Sequence, residues 1–398
     1  MNLNYTFSDK SKKLTYVLIG IGVLAFAFAL ISKEVSGTRL WANLLIDSFF
    51  FFGISLGAVF FMSLQYAAQA GWPVVVKRVF EAVGTYLPVG AIFILIVMVG
   101  SAIVGMSGGH PLYSWMAKGV MVGDKILKGK SAYLNIPFFL IRTIIYLGVF
   151  VYLAGLLRKN SLAADLTDNY LPIHYKNVTI AGIFIVFFGL AESMASWDWI
   201  MSLDSHWLST LFGWYVLSGI WVTAIIVIIA ITVHLKSRGY LENVNESHLQ
   251  NLALWMFAIS ILWSYLWFAQ FMLIWYANIP DEVVYFKIRI DHYTVLLWVV
   301  FLMNLLLPLI LLISRDAKRN TKLLITIAAI VFCTHWLDVF IMVMPSTVGE
   351  IWHIGFAEIG MFLGFLGLFI YVVLSSLAKV PLQVKNHPYL EESIHHHI

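Results

Sequence analysis

The sequence predicts an all-α integral membrane protein with ten transmembrane helices, and three observations lead to this prediction. Hydrophobic residues make up 61% and charged residues 12% of the 398 residues, and the mean hydropathy is +0.87. A soluble domain has roughly 45–50% apolar and 25% charged residues. The apolar residues are grouped in blocks that can cross a bilayer, which takes about 20 residues. The alternation of apolar and polar residues typical of a membrane β-barrel is absent from the sequence.

The ten predicted helices, which we number spans 1 to 10, follow directly from these blocks. Span 1 comes after Lys10, Lys12 and Lys13 and is longer than the apolar core of a cleaved signal peptide, so we expect an uncleaved helix. Proline and glycine inside other blocks are compatible with membrane helices, because neighbouring helices satisfy the freed backbone groups. In chain order the predicted spans are 14–31, 41–68, 85–104, 136–157, 177–196, 207–233, 250–277, 292–314, 321–344 and 353–377.

The positions of lysine and arginine predict the orientation of the chain in a bacterial inner membrane. The loops on the side of the amino terminus carry about twice as many of these residues as the loops on the opposite side. We therefore expect both termini in the cytoplasm. The net charge of +4 and the pI near 8.9 then reflect basic loops beside the membrane, and nucleic acid is not an expected partner.

The single cysteine limits what redox chemistry this chain can carry. Cys333 lies in an apolar block, and one thiol cannot close an intrachain disulfide, ligate an iron–sulfur cluster alone or attach a c-type haem. A haem between helices is disfavoured because only His335 lies well inside a span. We predict no metal site and no redox cofactor in this chain, and we give the closing histidines, His395 to His397, no functional weight.

A layer of polar side chains lies inside the predicted spans. With the orientation above, all of its members fall in the outer half of the membrane, whereas the inner half offers little beyond Gln65, Tyr66 and Asn304. Ionisable groups inside spans usually face the bundle interior and mark proton or ion paths. We predict a proton-conducting half-channel open to the outside; the alternative is a set of mutually satisfied groups that lock helix packing, with Arg142 neutralising a carboxylate. The candidates are Asp47, Arg142, Glu192, Gln270, His335, Asp338 and Glu358.

Two of these candidates are close along one helix. His335 and Asp338 are three residues apart in span 9, so their side chains share a face. A carboxylate beside an imidazole can exchange a proton with it, and each group perturbs the other. We predict a proton relay formed by this pair.

Repeated features suggest an internal duplication. Spans 2 and 6 begin with Trp41 and Trp207, and each has a glycine twelve residues later, Gly53 and Gly219. Parallel repeats occur in membrane proteins. We predict two parallel-related four-helix bundles, spans 2–5 and 6–9, with spans 1 and 10 at the periphery. The corresponding units are residues 1–40, 41–206, 207–345 and 346–398.

The loop between spans 5 and 6 holds a group of acidic and imidazole side chains. Asp198, Asp204 and His206 are predicted to form an acid–base cluster at the outer surface, either as the mouth of the half-channel or as a docking surface. The alternative is a tight interhelical loop in which Asp204 or Ser205 caps span 6.

This loop also carries a family resemblance. The segment SWDWIMSLDSHWLSTLFGWY, from Ser196 to Tyr215, and the segment WFAQFMLIWYANIPDE, from Trp267 to Glu282, resemble the NrfD-type, polysulfide-reductase-like membrane subunits of bacterial alternative complex III, most of all its F subunit. The resemblance implies a homologous ten-helix quinol-binding subunit, an extracytoplasmic iron–sulfur protein and multihaem cytochromes as partners, with a terminal oxidase as a possible further one. It implies that menaquinol or another quinol, iron–sulfur clusters and haems are bound by those partners.

In that family, one of the two homologues binds quinol in its first bundle with an intramembrane histidine and an aspartate. Here the first bundle, residues 41–196, has no histidine within a predicted span, since His110 and His174 fall in loops. We therefore predict no quinol-binding and no catalytic residue, and a structural and proton-conducting role in a quinol-oxidising complex. The alternatives are a quinol-binding subunit with its acceptor around His335, and a secondary transporter that uses the polar layer as a substrate site.

Overall fold

The computed structural model describes residues 4–32, 35 and 37–398, and all regular secondary structure in these residues is helical. The α-helices are Asp9–Ile31, Gly37–Ala67, Lys77–Gly84, Leu87–Ser107, Val120–Gly123, Lys125–Lys130, Ile136–Ala164, Leu171–Trp199, Leu211–Ser237, Glu246–Ala277, Pro280–His292, Thr294–Leu311, Arg315–Arg319, Thr321–Thr347, Phe356–Leu377 and Leu390–Ile394. Three short 3₁₀ helices cover Trp72–Val76, Ser114–Met116 and Met201–Leu203.

In this part of the chain, ten helical segments are long and apolar enough to cross a membrane, which confirms the predicted number. Several extend beyond the predicted limits; span 3, for example, continues through the buried residues Lys77, Arg78 and Glu81. Spans 1 to 10 are Asp9–Ile31, Gly37–Ala67, Trp72–Ser107, Ile136–Ala164, Leu171–Leu203, Leu211–Ser237, Glu246–Ala277, Thr294–Leu311, Thr321–Thr347 and Phe356–Leu377.

Local side-chain caps fix where several spans begin. The Asn135 side chain accepts a hydrogen bond from the Phe138 amide at 3.0 Å at the start of span 4. Asn320 does the same at the start of span 9, and Asn245 and His248 form a reciprocal capping box at the start of span 7. Such caps satisfy amides that have no partner within the helix, so the starts of these spans are encoded by a few neighbouring residues.

Span 2 lies at the centre of the protein. Its most apolar stretch is buried along its whole length, and it packs against spans 3, 5, 6, 9 and 10. Spans 2 to 5 each pack against the next, and span 5 returns to span 2; spans 6 to 9 pack in the same cyclic order, with span 9 returning to span 6. Contacts of span 2 with spans 6 and 9, and of span 5 with span 6, join the two sets.

Span 1 packs mainly against span 10 through glycine. Gly22 faces Gly364 so closely that a Cβ atom on either would collide with the other backbone, and Gly360 lies against Ala25. Small residues at such spacing let two membrane helices approach closely. Most of the remaining surface of span 1, including Val23, is exposed.

The carboxyl-terminal tail, residues 378–398, crosses the face on which spans 1, 3, 5, 7 and 9 begin; we call this the terminal face and the opposite one the distal face. Tail residues bond to the ends of several spans. The Tyr389 hydroxyl meets Gln69 Oε1 at 2.8 Å, Asn386 Nδ2 donates to the Ala164 carbonyl at 3.2 Å, and Asn245 Nδ2 donates to the His396 carbonyl at 2.7 Å. Of the closing histidines, His396 is part of the packed tail, whereas His395 and His397 are exposed.

Candidate functional site

The predicted polar residues, including Asp198 of the predicted outer cluster, lie at graded depths below the distal face. Asp198 and Glu358 lie in the first turn from that face, and Glu192 lies about 10 Å along span 5 from its helix end, at about 1.5 Å rise per residue. On the same basis Asp338 lies about 14 Å and His335 about 18 Å from the distal end of span 9. His335 is therefore the deepest ionisable group of the predicted set.

Glu358 is tied to the start of span 2. Arg39 Nη2 lies 2.8 Å from its carboxylate, and Asn43 Nδ2 and the Gly355 amide each donate to it at 2.9 Å. Arg39 also donates to the His353 carbonyl at 2.9 Å. The sequence placed Arg39 in a loop, but it lies buried in the first turn of span 2. This carboxylate is fully occupied in joining span 10 to span 2.

Arg142 and Asp198 form a buried, two-pronged ion pair between spans 4 and 5. Arg142 Nε and Nη2 donate to the two carboxylate oxygens at 2.8 and 2.7 Å, and Asp198 is 0% exposed. The guanidinium also donates to the Tyr133 carbonyl at 3.1 Å and lies over the Tyr133 and Phe138 rings, 3.9 and 4.2 Å from their centroids. The guanidinium is thus held by a carboxylate, a carbonyl and two aromatic rings. These contacts favour the alternative in which Arg142 neutralises a carboxylate and locks helix packing.

The predicted outer cluster of Asp198, Asp204 and His206 does not assemble. Asp198 is buried against Arg142, whereas His206 is exposed and its Nε2 lies 2.5 Å from Asp124 Oδ2, in the loop between spans 3 and 4. Asp204 is partly exposed. The prediction failed because helix geometry turns Asp198 into the bundle, away from the loop that follows it.

The predicted cap of span 6 is also wrong, since its first helical residue follows Thr210 and no side chain caps it. The neighbouring Asp124 does act as a cap: its carboxylate accepts from the Ile126 and Leu127 amides at 2.9 and 3.1 Å. The Leu127 amide, followed by the His206 imidazole, lowers the pKa of Asp124.

Asp338 is held by two neutral donors from neighbouring helices. The Tyr215 hydroxyl of span 6 donates to one carboxylate oxygen, and Trp263 Nε1 of span 7 donates to the other at 3.2 Å. His335 lies one turn deeper, with its ring edge-on to Trp263 at 5.2 Å between centroids, and its Nε2 has no hydrogen-bond partner among the described residues. The aspartate is therefore bonded to Tyr215 and Trp263 instead of to His335.

Two small cavities meet at Asp338, and we call this arrangement the Asp338 site. The cavity nearer the distal face has about 20 Å³ and is lined by Gln270, Tyr285, Arg289 and Asp338, among others. The deeper cavity also has about 20 Å³ and is lined by Gly219, Thr223, His335 and Asp338, among others. Each holds about one water molecule. Three of the seven predicted residues, Gln270, His335 and Asp338, are thus brought together here.

Arg289 belongs to this site and the sequence analysis missed it, because it was counted as a loop cation. It lies in the helix Pro280–His292 and is 2% exposed. Its Nε donates to the Ile341 carbonyl and its Nη2 to the Met342 carbonyl, both at 3.1 Å. Pro345 has no amide hydrogen, so it leaves the Ile341 carbonyl without its usual helical partner. That proline was the available signal that a donor had to come from elsewhere.

The charge of Arg289 is covered by aromatic rings. Its guanidinium lies 3.4 Å from the Tyr285 ring centroid, and Tyr285 stacks on Trp207 at 3.7 Å. Burial lowers the pKa of Arg289 and raises that of Tyr285 to about 12. The guanidinium stays charged in this setting, because the pKa of arginine begins above 12. It gives the distal end of the site a fixed positive charge.

Asp47 and Glu192 lie in the same layer but outside the Asp338 site. Asp47 in span 2 accepts a hydrogen bond from Trp336 Nε1 of span 9 at 2.9 Å. Glu192 is 2% exposed, and neither of its oxygens has a hydrogen-bond partner among the described residues. An isolated buried charge is very costly, so we expect the Glu192 carboxyl group to be neutral at rest.

The half of the membrane region nearer the terminal face holds more buried polar groups than the sequence predicted. Arg78 and Glu81 form an ion pair at 2.5 Å inside span 3, and Asp165 also pairs with Arg78. His174 lies in span 5 and not in a loop, and both of its ring nitrogens lack a partner among the described residues. With Tyr66, Lys77, His387 and Tyr389 it lines a cavity of about 30 Å³.

The described residues contain no group of three or more histidine, cysteine, aspartate or glutamate side chains that could hold a metal ion. Cys333 is exposed on the outer surface of span 9. Comparisons with protein-family models and with curated protein sequences found no match to this chain.

Proposed function

We propose that this protein is a membrane subunit of a quinol-oxidising respiratory complex of the alternative complex III type, in which it supports the assembly and conducts protons from the distal side. The two segments Ser196–Tyr215 and Trp267–Glu282 support the family, and the ten spans agree with it. In this proposal the terminal face is cytoplasmic, the membrane is a bacterial inner membrane, and quinol, iron–sulfur clusters and haems belong to partner subunits.

The proposed architecture is two related four-helix bundles, spans 2–5 and 6–9, with spans 1 and 10 outside them. The cyclic packing of each set supports it. The contact of span 2 with span 9 is matched by that of span 6 with span 5, as expected if each span corresponds to the one four places later. In this proposed architecture, the Asp338 site belongs to the second bundle.

The observation that carries the functional proposal is the position of Asp338 between two water-sized cavities. A proton can pass from a water beside Gln270 and Arg289 to the Asp338 carboxylate, and from there through a water in the deeper cavity toward His335. Tyr215 and Trp263 hold the carboxylate in place by neutral hydrogen bonds, and no cation among the described residues forms an ion pair with it. A titratable group with water on both sides is suited to relaying protons.

The cavity sizes favour protons over larger ligands at this site. A small-molecule site typically has about 300–1,000 Å³, whereas each cavity at Asp338 has about 20 Å³. A quinol ring or a transported solute therefore has no room beside His335 in this structure. For that reason we do not extend the proposal to quinol binding or to solute transport.

The test uses the purified complex reconstituted in liposomes, with the variants Asp338→Asn and His335→Gln. We expect both to lower the number of protons moved per quinol oxidised, because each interrupts the path between the two cavities. Asp291→Asn is the control, since that carboxylate is exposed beside Lys287 at 3.0 Å and does not line either cavity. If both path variants kept normal turnover and normal proton stoichiometry, the proposal would be rejected.

A further inference from the structure

A large apolar cavity lies between spans 1, 6, 9 and 10, at the end of the membrane region nearest the terminal face. It has about 410 Å³. An engineered protein cavity of about 150 Å³ is enough to bind benzene. Each of the two cavities at Asp338 has room for about one water molecule, whereas this cavity has the volume of a ligand site.

The lining is apolar except at one end. Its walls include Ile226 and Ala230 of span 6, Ala329 and Phe332 of span 9, and Phe369 of span 10. Its polar members are Ser11, Thr15 and His234, all within the turns of spans 1 and 6 closest to the terminal face. An occupant must therefore be an amphiphile with its polar end toward the terminal face and its apolar part toward the membrane centre.

The rim of the cavity is basic. We define the rim as the lining turns nearest the terminal face together with the next five residues of spans 1, 6, 9 and 10 toward that face. All four spans contribute cations to the rim, and its one acidic residue is Asp9. Asp9 is bridged to Lys12 at 3.3 Å. Exposed cations here attract an anionic headgroup. The cations are Lys10, Lys12, Lys13, Lys236, Arg238, Lys322 and Lys379.

We propose that this cavity is a binding site for one anionic phospholipid, with an acyl chain between spans 1, 6, 9 and 10 and its phosphate at the basic rim. The apolar volume argues for a hydrocarbon chain, and the charge of the rim argues for an anionic headgroup over a zwitterionic one. Span 1 meets the rest of the protein mainly through span 10, so a lipid chain in this cavity also fills the space between span 1 and spans 6 and 9.

The test is native mass spectrometry of the purified full-length protein after detergent exchange into mixed micelles that contain phosphatidylglycerol and phosphatidylcholine. We expect about one retained phospholipid per chain, with phosphatidylglycerol preferred. The double variant Ala230→Phe with Ala329→Phe fills the cavity and should abolish retention. Val186→Phe is its control, because Val186 is an exposed, lipid-facing residue of span 5 outside the cavity lining.

Charge is tested separately from volume. Arg238→Gln with Lys322→Gln should reduce the preference for phosphatidylglycerol by roughly thirtyfold, since each basic residue near an anionic surface contributes about 1 kcal/mol and about 1.4 kcal/mol corresponds to a factor of ten. Lys159→Gln with Lys176→Gln removes two exposed lysines from the same face away from the cavity and should leave the preference unchanged. Retention that survives cavity filling, an equal loss in both charge pairs, or a neutral isoprenoid lipid retained in place of phospholipid would overturn the proposal.

Discussion

The buried pair of Arg142 and Asp198 allows a quantitative prediction about what holds spans 4 and 5 together. The variant Asp198→Asn keeps the shape of the side chain but removes the negative charge, and the guanidinium is left uncompensated. Removing one partner of a buried ion pair typically costs about 3–5 kcal/mol. Here the Tyr133 carbonyl and the Tyr133 and Phe138 rings remain beside the cation. Since a desolvated cation–π contact is worth about 2 kcal/mol, we expect the lower end, about 3 kcal/mol.

The assay is thermal unfolding of the protein in lipid nanodiscs, followed by loss of monodisperse protein after heating. At about 2 °C per kcal/mol for a large chain, the apparent melting temperature should fall by roughly 6 °C. The double variant Arg142→Met with Asp198→Leu removes both charges and should be less destabilised than Asp198→Asn, because no charge is left buried alone. Lys287→Gln is the control: it breaks the exposed pair with Asp291 at 3.0 Å and should change the melting temperature little.

The reasoning would be refuted by either of two results. If Asp198→Asn lowered the melting temperature no more than Lys287→Gln does, the pair would carry no stability beyond that of a surface pair. If the double variant were as destabilised as Asp198→Asn or more, the loss would come from packing volume and not from the buried charge.

Three further predictions concern other contacts. Arg289→Met should destabilise the protein by about 2–3 kcal/mol, because the Ile341 and Met342 carbonyls each lose a hydrogen bond from the guanidinium. In thermal unfolding, Pro345→Ala should rescue part of the loss by restoring an amide donor to Ile341. Gly22→Ala should loosen span 1 from span 10 and increase its cleavage by protease, whereas Gly20→Ala, which meets nothing within 4 Å, should not. The folded-state pKa of Asp124 is lowered, so the stability that Asp124 gives the loop between spans 3 and 4 is present above the ordinary aspartate pKa and is lost as the pH falls through the lowered value. Hydrogen exchange in residues 120–135 should therefore rise on acidification in the wild type and rise less in Asp124→Asn.

The spans were predictable because the information for them is local. A block of about 20 apolar residues specifies a membrane helix without reference to the rest of the chain. The start of span 3 was set too late, because hydropathy reads Lys77, Arg78 and Glu81 as loop residues. Their charges are compatible with a buried helix only because Glu81 and Asp165 pair with Arg78, and Asp165 lies 87 positions away in the sequence.

The partners of the polar residues were not predictable, because the contacts are not local in the sequence. Arg39 meets Glu358 across 319 positions. Arg289 bonds to backbone carbonyls, for which Pro345 was the available sequence signal. Helical spacing predicted a shared face for His335 and Asp338, and both line the deeper cavity. The spacing could not show that Tyr215 and Trp263, from two other helices, bind the carboxylate. Periodicity identifies a shared face, and only the packing of the other helices decides which atoms meet there.

The distinction between compensated and uncompensated groups separates packing from proton conduction within the polar layer. Arg142, Asp198 and Glu358 have charged partners at the distal face, so a change of protonation there would break a contact that holds two spans together. Asp338, with neutral donors only, and His335 and Glu192, with unpartnered ring or carboxyl atoms, can change protonation without breaking an ion pair. These three also lie deeper than Asp198 and Glu358. A path that enters at the distal face must therefore pass the ion pairs without using them, and the cavity beside Gln270 and Arg289 offers such an entrance to Asp338.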